Sequence, residues 1–285
     1  MVNYFQTEMR PPVIGIGQSW GASVLALCAA WNPKLFEGLV LSEPILENGW
    51  WRFHGPSRMA KAGEPTANPV SAGLARRKRY YASRDELKRA IERNPIWKGF
   101  DRRVLGQIMR YDYRDLEDGR VELITPPLLA LGHFQRPSPP LPGYPVDDDY
   151  RNRPEEANFP PGFYNVVQLK VLEELANVSC MILFVWDKEG RFMGGERYRR
   201  RVVGAVNAKG EREGQIQQRW IEGGHSLAHL VPGRVAEEVC GWLKGVWEEW
   251  IEEERRREGD AKIDSETVPD GVLERLRDTP RDIKL

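Results

Sequence analysis

The sequence predicts an α/β fold built on a mostly parallel sheet. Short runs with the length of β-strands occur at residues 13–16, 38–42, 181–186 and 216–221. A helical segment joins the first two runs through short connections, which predicts parallel pairing with a right-handed crossover. A long segment of different composition separates this pair from the later two runs. We therefore expect one sheet whose chain is interrupted by an insertion.

The first strand and helix follow a proline pair. Pro11-Pro12 excludes helix at this point, because the residue before a proline is disfavoured in the helical region. Residues 13–16, Val-Ile-Gly-Ile, have the pattern of a short buried strand. Residues 22–30 are mostly small and apolar, which is typical of a helix buried on most sides, and Asn32 followed by proline ends it.

Between this strand and this helix lies Gly-Gln-Ser-Trp-Gly, at residues 17–21. Gly-x-Ser-x-Gly at such a junction predicts a nucleophile elbow, the sharp turn that presents a serine hydroxyl at the top of an α/β-hydrolase sheet. Ser19 is therefore the candidate nucleophile. The residues two before and two after it are expected to be small, because strand and helix pack closely across a strained turn.

The alternative to an elbow is a glycine-rich turn of a nucleotide-binding fold that performs no chemistry. Residues 15–20 lack the third glycine of a dinucleotide-binding fingerprint. No Lys-Ser/Thr pair of a phosphate-binding loop follows either. Both observations favour the elbow.

Composition excludes several classes of partner and cofactor. The 285 residues contain 42 Lys and Arg and 42 Asp and Glu, so the chain lacks the basic charge of a nucleic-acid-binding protein. No apolar stretch reaches the length of a membrane span. The three cysteines lack metal-ligand spacing, and we expect neither a metal nor another cofactor.

Residues 47–175 predict a cap of helices and loops inserted over the sheet. A charged helix is expected at residues 76–92, with Ser83 as the N-cap of a capping box, and a second helix at 102–113. The proline-rich residues 136–161 predict a loop.

The domain organisation follows from this insertion. Residues 1–46 and 176–257 form the predicted core, which ends in a long helix at 235–257 with apolar residues at helical spacing. The last residues, 258–285, are rich in charged side chains and predict a flexible tail.

A serine nucleophile needs a base within hydrogen-bond reach of its oxygen. α/β-Hydrolases place this histidine in the loop after the last strand of the sheet. His225 follows the last predicted strand and a Gly-Gly pair, so we favour His225 as the base. His229, four residues later and close to a proline, is the alternative.

The acid that orients the histidine has two candidates. Asp187 directly follows the strand at residues 181–186, in the loop where the acid usually lies, although it comes early in that loop. Glu43 ends the strand that follows the elbow helix, and strand ends at this edge point towards one crevice. A carboxylate at a buried strand end needs a partner, because an unpaired buried charge is costly. We favour Glu43 over Asp187.

Several segments together resemble fungal α/β-hydrolases of the toxin-biosynthesis and peroxisomal lipase-like type. The segments that carry the resemblance are residues 15–21, 41–46, 110–114, 125–127 and the histidine loop at 222–225. The resemblance implies a cytoplasmic or peroxisomal serine hydrolase with a helical cap. Its implied substrate is a small acyl, lipid-like or polyketide-like ester or thioester. It also implies that the backbone N–H of Trp20 donates to the oxyanion, and it supports Glu43, because the loop after residue 186 often lacks a standard aspartate in that family.

The position of the elbow near Met1 departs from this resemblance. Members of the family begin with several strands and a loop that supplies a second oxyanion donor, for which this sequence offers no source. We expect an N-terminally incomplete chain, and the loss of one oxyanion donor typically costs about 100- to 1,000-fold in rate. The alternatives to a working hydrolase are an impaired remnant that only binds a ligand or partner, and an acyltransferase that uses the same triad.

Overall fold

The computed structural model describes residues 8–46, 73–134, 171–190, 195–210 and 214–260. The predicted loop at 136–161 and all but the first residues of the predicted tail lie outside these ranges. The chain divides into two compact units, Met1–Cys240 and Gly241–Leu285.

The described strands are β1 Ile14–Gln18, β2 Gly38–Ser42, β3 Tyr80–Tyr81, β4 Tyr113–Asp115, β5 Val121–Leu123, β6 Met181–Asp187 and β7 Ile216–Ile221. The described helices are α1 Trp20–Trp31, α2 Arg84–Arg93, α3 Arg102–Tyr111, α4 Pro127–Phe134, α5 Gly195–Val206, α6 Leu227–Leu230 and α7 Pro232–Asp260.

Four strands form a parallel sheet in the order β1-β2-β6-β7. The fold class predicted from the sequence is therefore confirmed, and the strands match the predicted runs to within two residues. The register aligns Gln18 of β1 with Ser42 of β2 and Val185 of β6. Because the strands are parallel and in register, their carboxyl ends meet at one edge of the sheet. Residues 19, 43 and 222–225 follow directly at that edge, and β6 ends there with Asp187.

The main core lies between this sheet and its helices. β2 and β6 are the two central strands of the sheet. β2 is buried along its whole length, and β6 is buried from its second residue onwards. Helix α1 contributes alanines, including Ala22, Ala26 and Ala29, to the same core. These small residues let the helix pack closely on the strands, as the sequence predicted.

Helix α5 between β6 and β7 was not predicted. It buries Tyr198, Val202 and Val206, which are spaced four residues apart on one face. Four arginines at the other positions conceal this spacing in the sequence. The helix supplies the crossover that two parallel neighbouring strands require.

The described part of the insertion contains helices and a small antiparallel sheet in the order β3-β5-β4. Helix α2 has the predicted N-cap, since Ser83 Oγ accepts the Glu86 N–H at 3.2 Å. The sheet was not predicted, because strands of two or three residues are too short to show an alternating pattern. It corrects the bounds of both predicted helices: Tyr80–Tyr81 form β3, so α2 begins at Arg84 and not at residue 76, and Tyr113 begins β4, so α3 ends at Tyr111. It has its own apolar cluster, which includes Tyr81, Leu87 and Tyr113.

A buried carboxylate lies in this small sheet. Glu122 of β5 has a side chain 5% exposed and accepts hydrogen bonds from Arg79 and Arg114. The hydrogen bonds from Arg114 and Arg79 lower the pKa of Glu122 to about 2. The carboxylate is therefore charged at neutral pH and ties β3, β4 and β5 together.

Helix α7 begins at Pro232, a residue well suited to the first helical turn, and extends to Asp260. The part of α7 from Gly241 onwards belongs to the second unit and is the only part of that unit that the structure describes. In it, the ring centroids of Trp247 and Trp250 lie 5.3 Å apart. Among the described helices, none combines the length and the apolar character needed to cross a membrane.

Candidate active site

Ser19 occupies a strained turn between β1 and α1. Its backbone has φ 55° and ψ −119°, in the region that side chains disfavour, and its N–H donates to Ser42 O at 2.9 Å. A Cβ on Gly17 would lie 2.7 Å from the backbone nitrogen of Ala22, so a side chain there cannot fit without displacement. The turn thus has the geometry expected of a nucleophile elbow.

The second glycine of the motif is under less constraint than expected. A Cβ on Gly21 would meet no atom within 4 Å outside its own helix, among the residues that the structure describes. The expected need for small residues on both sides of the serine therefore holds at Gly17, while the space at Gly21 is open.

His225 lies beside Ser19. Its Nε2 is 2.8 Å from Ser19 Oγ, and its side chain is 20% exposed. The histidine follows β7 through a tight loop in which Gly224 has φ +86°, a conformation that favours glycine. A Cβ on Gly223 would lie 3.1 Å from the side chains of Leu227 and Val231, so the glycine pair also permits close packing.

Glu43 is the carboxylate beside the imidazole. Its Oε2 lies 3.5 Å from His225 Nδ1, and its side chain is 4% exposed. Its other oxygen accepts the Asp187 N–H at 2.7 Å, and its own N–H donates to Val185 O at 2.9 Å. Glu43 has φ +43°, which is unusual for a non-glycine residue. This backbone strain directs the side chain along the carboxyl edge of the sheet.

Two residues that the sequence analysis missed hold the segment after Glu43. Tyr198 Oη donates to Pro44 O at 2.6 Å and accepts the Leu46 N–H at 2.9 Å. Ser23 Oγ donates to Ile45 O. The spacing of four residues that joins Tyr198 to Val202 and Val206 is the one signal of its burial, and the arginines of α5 conceal it. The hydrogen bonds of Tyr198 leave no mark in the sequence.

Asp187 is buried at the end of β6, next to Glu43. Its Oδ1 accepts the Gly224 N–H at 2.8 Å, and its Oδ2 accepts the Gly190 N–H at 3.1 Å. Both carboxylate oxygens thus accept backbone N–H groups, one of them from the residue that precedes His225.

Gln18, the second residue of the elbow motif, also contacts the histidine loop. Its Nε2 donates to His225 O at 2.9 Å, and its Oε1 accepts the Ala228 N–H at 3.3 Å. The sequence analysis gave Gln18 no role, although its place next to the nucleophile is a signal that could have drawn attention to it.

His229 lies on the side of the insertion. Its ring is 4.9 Å from the ring of Phe100, and its carbonyl oxygen accepts the Asp101 N–H at 2.8 Å. Burial lowers the pKa of His229, while the charge of Asp112 acts in the opposite direction. The structure therefore brings together Ser19, His225 and Glu43, and places His229 in packing with the segment before α3.

Trp20 is the first residue of α1, so its N–H lies at the helix N-terminus directly after Ser19. The positive end of the helix dipole and the unpaired N–H groups of a first turn favour negative charge at this point. Among the described residues, no three His, Cys, Asp or Glu side chains are placed to hold a metal ion.

Comparison with known structures shows that the chain has the α/β-hydrolase fold. It is similar to the peroxisomal α/β-hydrolase Lpx1 of Saccharomyces cerevisiae, with a TM-score of 0.57 and 12% identity over 94% of this chain and 67% of that chain. It is also similar to the thioesterase domain from the curacin biosynthetic pathway, with a TM-score of 0.50 and 12% identity over 84% of this chain and 69% of that one. The predicted resemblance to α/β-hydrolases is confirmed.

Among curated proteins, the chain is similar to the type I acyl-CoA thioesterase mpaH of Penicillium brevicompactum, with 30% identity over 116 residues. The match covers 41% of this chain and 24% of the relative, so the similarity spans about a quarter of that protein's length. No protein-family model matches the chain.

Proposed function

We propose that the chain is a serine hydrolase that cleaves an ester or thioester bond of a small acyl substrate. The observation that carries this proposal is the 2.8 Å distance between Ser19 Oγ and His225 Nε2, at a serine held in an elbow conformation. A nucleophile within hydrogen-bond reach of a histidine, with a carboxylate on the far side of the imidazole, is the arrangement that activates serine for acyl transfer.

In this proposal His225 moves protons at one atom, Nε2. It accepts the Ser19 hydroxyl proton as the oxygen attacks the carbonyl carbon of the substrate, and it donates that proton to the departing alcohol or thiol. The acyl group remains on Ser19 until a water molecule, deprotonated by the same nitrogen, attacks the acyl carbon. The bond between that carbon and Ser19 Oγ then breaks, Nε2 returns the proton to Ser19 Oγ, and a carboxylic acid is released. Glu43 holds the Nδ1–H side of the ring and stabilises the imidazolium that forms at each step.

The N–H of Trp20 is the proposed oxyanion donor. It follows the nucleophile directly and lies at the N-terminus of α1, where the helix dipole favours the negative charge that develops on the carbonyl oxygen. One such donor is worth about 100- to 1,000-fold in kcat.

The ester and thioester alternatives differ in the leaving group. The similarity to mpaH, an acyl-CoA thioesterase, supports a thioester substrate for this chain. We place thioesters first and oxygen esters second. A cytoplasmic or peroxisomal location remains a prediction from the family resemblance in the sequence.

Covalent labelling tests this function. A fluorophosphonate probe should label the wild-type protein at Ser19, and Ser19→Ala should abolish the label. Folded protein that is not labelled would refute the hydrolase and favour a protein that only binds its ligand. Acyl-CoA and p-nitrophenyl esters then test the two bond types. Formation of a new ester from an added alcohol, faster than release of free acid, would favour an acyltransferase.

A further inference from the structure

The loop that carries His225 is held from two sides by side chains that belong to other strands. Gln18 reaches it from the end of β1, and Asp187 reaches it from the end of β6. Neither contact is with the imidazole ring. Both are with the backbone of residues 224–228, from which the ring projects.

Gln18 forms two hydrogen bonds with this backbone. Its amide nitrogen donates to the carbonyl of His225 itself, and its amide oxygen accepts the N–H of Ala228. A primary amide is suited to this position because it offers a donor and an acceptor to one stretch of chain. Since Gln18 adjoins Ser19, the nucleophile and the histidine backbone are coupled through one residue.

Asp187 couples the histidine loop to the acid. Its backbone N–H donates to Glu43 Oε1, while its side chain accepts the N–H of Gly224. The second carboxylate oxygen accepts the Gly190 N–H, so both oxygens have a donor. The carboxylate of Asp187 therefore accepts hydrogen bonds from two loops. Its contact with the histidine loop is with the backbone of Gly224, the residue before His225, and not with the imidazole.

We propose that Gln18 and Asp187 are positioning residues that fix His225 between Ser19 and Glu43. We name this pair the histidine-loop clamp. The inference rests on the proposed function, since it assigns to His225 the role of base. Its physical basis is that a displacement of about 1 Å in a catalytic group can cost about 100-fold in rate. The loop contains two glycines, which alone would leave its backbone free to adopt other conformations.

Two near-isosteric variants test the clamp. Gln18→Leu removes both of its hydrogen bonds, and Asp187→Asn replaces one acceptor oxygen by an NH₂ group that faces a backbone N–H. We expect each variant to lower kcat and the rate of fluorophosphonate labelling by about 10- to 100-fold, with little change in KM. Gln217→Leu on β7 and the exposed Asp115→Asn are matched controls that should retain wild-type rates.

The pH profile separates positioning from direct contact with the ring. Glu43→Gln removes a negative charge beside the imidazole, so the acid limb of kcat should move to lower pH. Gln18→Leu and Asp187→Asn should leave the midpoint of this limb nearly unchanged while they lower its plateau. A shift in Asp187→Asn as large as that in Glu43→Gln would make Asp187 the triad acid and overturn the proposal.

A spectroscopic measurement tests the clamp without turnover. The chain has only 4 histidines, so ¹⁵N-histidine spectra are simple, and His225→Asn assigns the resonances of His225. In the wild type the ring should show one tautomer with a slowly exchanging Nδ1 proton. In both clamp variants that proton should exchange faster and the ring signals should broaden, at an unchanged circular dichroism spectrum.

The outcomes distinguish the clamp from the function on which it rests. Wild-type protein that resists labelling refutes the proposed function. Wild-type protein that is labelled at Ser19, together with clamp variants that keep its rate and its histidine spectrum, refutes the clamp alone. If Asp187→Asn does not fold, Gln18→Leu decides the outcome by the same measurements.

Discussion

Glu43 Oε2 lies 3.5 Å from His225 Nδ1, although the two residues are far apart in the sequence. Glu43 directly follows β2, whereas His225 follows β7, the last strand of the sheet. The contact depends on a strained backbone at Glu43 and on the N–H of Asp187, which fixes the other carboxylate oxygen. It supports Glu43 as the orienting acid.

Glu43→Gln should retain the fold and lose most of the activity. The amide keeps the size of the side chain but cannot stabilise an imidazolium, and in a serine protease the analogous change costs about 10,000-fold in kcat. Steady-state kinetics and thermal unfolding should be measured on the same preparation. Activity within tenfold of the wild type would exclude Glu43 as the acid.

The two histidines near the end of the sheet should respond differently to substitution. His225→Asn should abolish probe labelling at Ser19, because Nε2 is the only histidine nitrogen that the described structure places beside the serine. His229→Phe keeps an aromatic ring against Phe100 and should retain activity within a few-fold. The reverse order, measured by labelling rate, would assign the base to His229.

The two glycines of the elbow provide a matched pair for stability. In Gly17→Ala the new methyl group would meet the backbone of Ala22 and Gly21 at less than 3 Å, and overpacking of this kind typically costs about 1–3 kcal/mol. In Gly21→Ala the space is open and the helix should gain about 0.5–1 kcal/mol. Urea denaturation measures both, and equal losses would contradict the difference in packing.

Tyr198→Phe should weaken both stability and activity. The hydroxyl pairs with the buried backbone of Pro44 and Leu46, and leaving such groups without a partner costs about 1–3 kcal/mol. Because this backbone follows Glu43 directly, kcat should also fall. The exposed Tyr111→Phe is the control, and it should behave as the wild type in both measurements.

Glu122 should make stability depend on pH in strong acid. Its pKa is about 2 in the folded protein and 4.5 in the unfolded reference, so the unfolded chain takes up its proton first. The contribution of this carboxylate to the free energy of unfolding is therefore complete above about pH 4.5 and is lost as the pH falls towards 2.

The measurement is denaturation of wild type and Glu122→Gln across that range of pH. The variant should be less stable at neutral pH, because Arg79 and Arg114 lose their partner, and the difference should narrow as the pH falls. If the difference in the free energy of unfolding between wild type and Glu122→Gln stayed constant from neutral pH to pH 2, the ion pairs of Glu122 would contribute nothing to the pH dependence of stability.

Local sequence patterns predicted the sheet and the elbow because both depend on short-range features. Four strands carry recognisable runs, and Ser19 lies in a motif whose glycine at position 17 is required by contact with the adjacent helix turn. Helix α5 and the small sheet of the insertion escaped prediction. In α5, arginines mask the spacing of the buried residues. In the small sheet, the strands are too short to show a pattern.

The contacts within the site were harder to predict. The direction of the Glu43 side chain depends on a positive φ, which no residue type announces when the residue is a glutamate. The roles of Tyr198 and Gln18 depend on hydrogen bonds to backbone atoms that are distant in the chain. Such partners are set by the packing of strands and helices and not by the identity of neighbouring residues.

Ser19 and Glu43 belong to one contiguous strand–helix–strand unit, joined within itself by the bond from Ile45 N–H to Ser19 O, whereas His225 arrives with the last strand of the sheet. The spacing of nucleophile and acid is thus a local property that can form early, because contacts at short sequence separation close at small entropic cost. The base depends on β7 joining β6. Recovery of Ser19 reactivity during refolding should therefore report the completion of the sheet, later than the recovery of helical signal.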